Sequence, residues 1–275
     1  MKRYNLDQIP FYISTPTFEK ALLEEVLGKD SYQWVSDEDI VSANPRASFE
    51  HYRAMPGRLS QQIIKAEFWR LGLAENYLCL DSDSKFTCDF RRSDFVSNEN
   101  VPYTVLHQNK ELFQIARNRG HHKMERDLKI EAERVQKLFG RSGPHFYCAP
   151  APFNWSAKVW QSLDQEYLQA KGISIWDLIT LDHPESLIYG EAIMNYRAIP
   201  LIAVEPLFRT YHYDWQYFLM RRLGETEAKL AKNYFGVIYQ SAWDVDGHLG
   251  PSNKSLPSRW LMRIKRFFRQ IQAYL

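Results

Sequence analysis

Apolar positions along the first third of the chain fall into short runs separated by polar punctuation, and the period of each run predicts an element. IPFYIS, Ile9 to Ser14, closed by Thr15-Pro16, predicts a strand, and Phe18 to Leu27, ended by Gly28, predicts a helix. SYQWV, Ser31 to Val35, predicts a second strand followed by a polar loop. Leu59 to Leu71 has a helical period with Gly72 just past its end, and YLCL, Tyr77 to Leu80, is a strand running directly into Asp81-Ser82-Asp83. Met124 to Phe139 predicts an amphipathic helix stopped by Gly140, with Glu125/Lys129 and Glu133/Lys137 spaced four apart on its surface. HFYCA, His145 to Ala149, predicts another strand. Helices are expected over Ser156 to Ala170 and Glu191 to Tyr196, then the strand IPLIAV, Ile199 to Val204, then a polar and aromatic region reaching Gly250-Pro251. Strands alternating with helices imply an α/β fold whose chemistry sits at strand C-termini. No internal repeat or low-complexity linker interrupts the pattern.

The last segment has a different character. Ser258 is placed to cap a helix in which Trp260, Leu261, Ile264, Phe267, Phe268 and Ile271 fall on one stripe. Arg259, Arg263, Lys265, Arg266 and Arg269 occupy the remainder, with no acidic residue. Such a basic amphipathic helix either lies in an anionic membrane surface or docks on its own domain. The chain therefore divides into a main domain, residues 1–250, and a C-terminal helix, residues 251–275.

Composition narrows the classes. The chain has 275 residues, 45% hydrophobic and 25% charged, which is ordinary for a globular protein, and its net charge of +2 is too mild to suggest nucleic acid as a partner. Cys79, Cys88 and Cys148 are odd in number and lack CxxC spacing, which suggests neither a disulfide framework nor a zinc site and fits a reducing cytoplasm. The apolar cluster near the N-terminus is far short of a signal-peptide core, and no run approaches the roughly 18 residues of a membrane span.

The chemistry turns on the paired aspartates. An Asp-x-Asp triplet is weak evidence alone, and this chain has three. Asp37/Asp39 and Asp244/Asp246 lie in polar segments that read as solvated loops, whereas Asp81/Asp83 follow an apolar strand, where ligands of α/β sheets bind. Two carboxylates that close resist joint ionisation, and a cation beside them relieves the repulsion. Their oxygens suit Mg²⁺ or Mn²⁺, which often bridge to phosphate. The alternative is that both simply cap the next turn. Lys65 and Gln61, four apart, share a helix face, with Gln62 an equal candidate; the three either meet a ligand or form a solvated face.

The run QQIIKAEFWRLGLAENYLCLDSDSKF resembles glycosyltransferases of the GT-A fold, in which a lysine-bearing helix precedes the strand leading to DxD. RLSQQIIKAEFW, LCLDSDSKF, PYTVLH, LIYGEAIM and EPLFRTYHYD are similar to an uncharacterised bacterial glycosyltransferase-like family, and the resemblance covers most of Ile9 to Tyr217. It implies a Rossmann-related mixed sheet flanked by helices. It also implies that Asp81 and Asp83 hold Mn²⁺ or Mg²⁺ against the diphosphate of a nucleotide-sugar donor, with Lys65, Gln61 and Gln62 contacting that donor.

Further roles follow from the same resemblance. Glu191, read as entering a helix after a turn at Gly190, is similar to the acidic residue that inverting enzymes use as general base, with Glu185 in reserve; against this, glutamate is common in any first helical turn. His212 resembles the late histidine that joins the metal in many such domains, although a histidine among tyrosines is often only hydrogen-bonded. The other imidazoles, His121-His122 included, have no partner at ligand spacing. Phe153-Asn154-Trp155 fall where the acceptor is often met, since sugar faces pack on rings. The implied acceptor is a glycan or a lipid-linked sugar, as in surface polysaccharide synthesis, made at the inner face of the membrane. Residues 1–8 resemble the end of a first helix, so a first strand and helix are expected to be encoded upstream. A haloacid-dehalogenase-type phosphatase also places DxD after a strand, but it wants threonine or valine where this chain has Lys85. A degenerate, non-catalytic scaffold binding glycan or membrane is the other alternative.

Overall fold

Strands β1 (Tyr12–Thr15) and β2 (Gln33–Ser36) lie on either side of α1 (Lys20–Leu27) in the computed structural model, which describes residues 2–147 and 152–240. They pair in parallel, Tyr12 opposite Gln33 through Thr15 opposite Ser36, as a helical crossover allows. The stretch expected as a polar loop instead holds α2 (Asp37–Ser42) and α3 (Phe49–Ala54). Each starts at a serine cap: the Asp39 N–H donates to Ser36 Oγ at 2.9 Å and the His51 N–H to Ser48 Oγ at 3.4 Å. Asp37, expected in a solvated loop, is buried and accepts hydrogen bonds from the Ser14 hydroxyl and, at 2.6 Å, from Tyr52.

Helix α4 (Gly57–Glu67) continues through a 3-10 turn, Phe68–Leu71, to Gly72, whose left-handed φ of 66° ends it without the penalty a Cβ would bring. Then β3 (Asn76–Cys79) leads through the turn at Asp81–Ser84 into β4 (Ser84–Phe86). Next come β5 (Tyr103–Val105), α5 (Lys110–Asn118) and α6 (His122–Leu138). The two ion pairs expected on α6 are present, Lys129 to Glu125 at 2.6 Å and Lys137 to Glu133 at 2.7 Å.

The strand expected at HFYCA is displaced. Tyr147 makes an isolated bridge to His107, and Cys148 and Ala149 lie outside the described residues. The strand falls at β6 (Phe153–Ser156), antiparallel to β3 with Cys79 opposite Phe153. All four residues of β6 are buried, and the Trp155 ring meets Phe153 at 4.9 Å, Trp160 at 5.0 Å and Tyr189 at 5.4 Å. Phe153-Asn154-Trp155 is therefore core, because its rings are enclosed by their neighbours; it offers no platform to an acceptor.

The helix expected over 156–170 is α7 (Ala157–Leu163), a π turn at Asp164–Leu168 and α8 (Gln169–Lys171) in succession. After α9 (Ile175–Leu178), α10 (Glu185–Tyr196) begins at Glu185, so Gly190 is in a helix interior and Glu191 is two turns in. Every residue from Glu185 to Ile193 is buried, which leaves no polar face to mark the true start. The chain then passes through β7 (Ile202–Val204), β8 (Phe208–Tyr211), α11 (Asp214–Arg222), α12 (Glu227–Leu230) and β9 (Gly236–Tyr239).

The fold is thus mixed α/β. Among the described residues the strands form separate hydrogen-bonded sets: β1-β2 and β5-β7 parallel, β3-β6 antiparallel, and β4-β9-β8 mixed. One apolar core, running from Val35 to Ile238, joins all four sets. A buried ionic network ties α4 to the π turn: Arg70 pairs with Glu67 and, at 3.0 Å, with Asp164, which also meets Arg46. No helix among the described residues is long and apolar enough to cross a membrane. The C-terminal helix over 258–275, the proposed boundary at 250 and Asp244/Asp246 lie outside the described residues.

β9 is central to its sheet and has no room at Gly236, where an added Cβ would meet Phe208 Cε1 at 2.2 Å and the Lys85 carbonyl oxygen at 2.4 Å. Gly236→Ala is expected to lower stability by about 3 kcal/mol through overpacking. A urea midpoint equal to that of the parent protein would contradict the packing described.

Candidate active site

Three elements deliver charged side chains to the C-terminal end of β3. The strand is held by β6 on one side, and the Ser84 N–H donates to the Asp81 carbonyl at 3.0 Å, closing the turn that carries Asp81 and Asp83. Lys65 projects from the last turn of α4, whose opposite face buries Ile63, Ile64 and Ala66. Its ammonium pairs with the Asp81 carboxylate and lies 3.6 Å from Glu185 Oε1 at the start of α10. The three side chains are largely enclosed, 16% exposed for Lys65, 25% for Asp81 and 7% for Glu185.

Gln62 ties α4 to the start of α10 at this meeting. Pro184 precedes α10 and offers no side-chain cap, so the first helical N–H, that of Glu185, donates to Gln62 Oε1 at 3.3 Å. The Gln62 amide donates to the Arg58 carbonyl at 3.1 Å. Gln61 is exposed on α4, whereas the neighbouring Gln62 turns inward.

The electrostatics follow from burial and neighbours. Burial opposes the Lys65 charge, but the carboxylates of Asp81 and Glu185 outweigh it and hold the ammonium above the ordinary lysine pKa. Burial pushes the Glu185 carboxyl above the usual carboxylate range, against the pull of Lys65. Enclosure also drives the Cys79 thiol up to about 12, so it is an inert wall. The cluster thus holds one fixed cation and a carboxyl poised to exchange a proton.

The other expected residues fall elsewhere. Glu191 is 4% exposed, and both of its oxygens accept from the Arg141 guanidinium, at 2.6 and 2.7 Å. Arg141 also donates to the carbonyls of Ser142 and Pro144, so this pair fastens the loop after α6 to α10. A carboxylate with both oxygens so occupied is poorly placed to take a proton from an acceptor. His212 follows β8, its N–H donating to Gln216 Oε1 at 2.9 Å. Tyr211 is opposite Tyr239 of β9, whose N–H donates to the Asp83 carbonyl at 3.3 Å. His212 and Asp83 therefore lie at the same end of one sheet with β9 between them, two strand spacings or about 10 Å apart. Among the described residues no group of three or more His, Cys, Asp or Glu side chains is gathered as a metal shell, and His212 is not brought beside the aspartates. Burial, with His107 and Arg209 nearby, pushes the His212 imidazole down to about 4 and keeps it neutral.

Asp81 and Asp83 nevertheless offer the hard carboxylate oxygens that Mg²⁺ or Mn²⁺ takes, and such an ion usually completes its shell with phosphate oxygens and water. Their donor chemistry fits such an ion, which would share Asp81 with Lys65.

Glu185, held only in reserve from the sequence, is the residue that the fold makes central. Its available signal was Pro184-Glu185, since proline commonly marks the start of a helix. No protein-family model and no curated protein matches this chain.

Proposed function

We propose that this chain is a GT-A-like glycosyltransferase that moves a sugar from a metal-bound nucleotide sugar to a glycan or lipid-linked acceptor, with surface polysaccharide as the broad context. The observation that carries this reading is the convergence of Lys65, Asp81 and Glu185 from three elements at the end of one strand. The resemblance of the DxD segment to GT-A enzymes supplies the substrate class.

In this reading Asp83 and Asp81 hold the divalent ion, which neutralises charge on the departing nucleotide when bound. The Lys65 ammonium stabilises the same diphosphate as its negative charge develops. The acceptor hydroxyl oxygen bonds to the anomeric carbon as the bond from that carbon to phosphate breaks. Its proton passes to Glu185, whose raised pKa matches a general base better than an ordinary carboxylate would. The electron pair of the broken bond leaves on the nucleoside diphosphate.

A specific observation favours a second reading, a non-catalytic scaffold: Lys65 and Asp81 already neutralise each other, as in a site closed by its own ion pair. Calorimetry with a panel of nucleotide sugars and Mn²⁺ separates the two. Asp83→Asn is expected to abolish metal-dependent donor binding while leaving the melting temperature unchanged, because it removes a charged ligand at constant volume. Donor affinity that is the same with and without Mn²⁺ in the parent protein, or the absence of any donor binding, would favour the scaffold.

A further inference from the structure

A cleft of about 540 Å³ opens between the loop after β5 and the end of β8. Its volume is in the range of roughly 300–1,000 Å³ usual for small-molecule sites. The lining balances its own charge. Lys110 and Arg209 are matched in number by Glu111 and Glu205, and the Arg209 guanidinium is already held by Glu111 and, at 3.1 Å, by Glu225. A phosphate or carboxylate entering this cleft would have to compete with Glu111 and Glu225 for Arg209.

What remains is a neutral polar lining with rings beside it. His107, Gln108, Asn109 and His212 bring imidazoles and amides, groups that both donate and accept, and Phe146 and Tyr234 bring rings. Paired donor–acceptor groups beside rings match a sugar, whose hydroxyls are polar and whose C–H faces are apolar. The cleft also reaches His212, at the same sheet end as Asp83.

We propose that this cleft binds an uncharged sugar unit, with Gln108 among its hydrogen-bonding groups, and that this unit belongs to the acceptor. The assignment to an acceptor rests on the transferase reading; the affinity for a neutral saccharide does not.

The test uses the full chain on an array of immobilised oligosaccharides ending in neutral hexoses, deoxyhexoses or N-acetylhexosamines, beside uronic acids and sugar phosphates. Hits are measured in solution by saturation-transfer NMR and calorimetry. The expected result is binding to one or more neutral glycans, weakened at least tenfold in Gln108→Ala, with Gln108→Glu as a second readout that keeps the size of the side chain should the first variant fail to fold. Preference for the acidic or phosphorylated glycans, no glycan binding, or undiminished binding by the folded variants would each overturn the proposal. Asp83→Asn separates it from the transferase reading. Glycan binding retained in a protein that binds no nucleotide sugar leaves the cleft standing as a neutral-sugar site and removes only its acceptor role.

Discussion

Glu185→Gln is expected to lower turnover by about 10²–10⁴-fold, the usual scale for a lost general base, while donor affinity stays within a few-fold of the parent value. The substitution keeps the volume of the side chain and leaves the Glu185 N–H bond to Gln62 in place, so the start of α10 is undisturbed. It removes the only group in the Lys65 cluster that combines burial with a raised carboxyl pKa. Glu191→Gln is the control. Loss of its charge weakens the clamp with Arg141 and should lower stability, with turnover per folded molecule preserved. Release of nucleoside diphosphate, measured for both variants at matched folded fraction, decides between them. Full turnover in Glu185→Gln with loss in a folded Glu191→Gln would reverse the assignment.

Lys65→Met is expected to destabilise the protein by about 3–5 kcal/mol, the range for removing one partner of a buried ionic group. The ammonium is the counter-charge for Asp81 and Glu185 together, and it also lies 5.4 Å from the centre of the Phe153 ring. Methionine fills most of the space but leaves Glu185 enclosed without its cation. The double variant Lys65→Met/Glu185→Gln should recover a large part of the loss, since the uncompensated carboxylate is then gone. Urea denaturation of the two single variants and the double variant measures that coupling. A loss below about 1 kcal/mol in Lys65→Met would mean that the cluster is hydrated, as a surface pair is.

Both experiments concern residues that the sequence reveals unequally. Lys65 and Asp81 were legible because they border elements with strong local signals: α4 has a clear period and a glycine stop, and β3 runs without interruption into its turn. Glu185 was visible only as a residue after proline. The buried span from Glu185 to Ile193 shows no contrast between faces, so reading Gly190 as a turn placed the helix start too late, at Glu191. Likewise Phe153-Asn154-Trp155 gave no strand signal, because a fully buried strand has no polar alternation to betray it.

The sequence by itself determined the class of fold, the extent of α6 with its surface ion pairs, and the position of Asp81 at the end of a strand. These depend on contrasts between residues a few positions apart, and solvent on one side of an element writes them into the chain. Only the tertiary structure decided that Glu185 meets Lys65, that Glu191 belongs to Arg141, and that β9 stands between Asp83 and His212. Those relations join residues far apart in the chain, as with Glu185 and Gln62 at a separation of 123 residues. They are fixed by which buried charges find partners and which strands pair, and no local pattern encodes either.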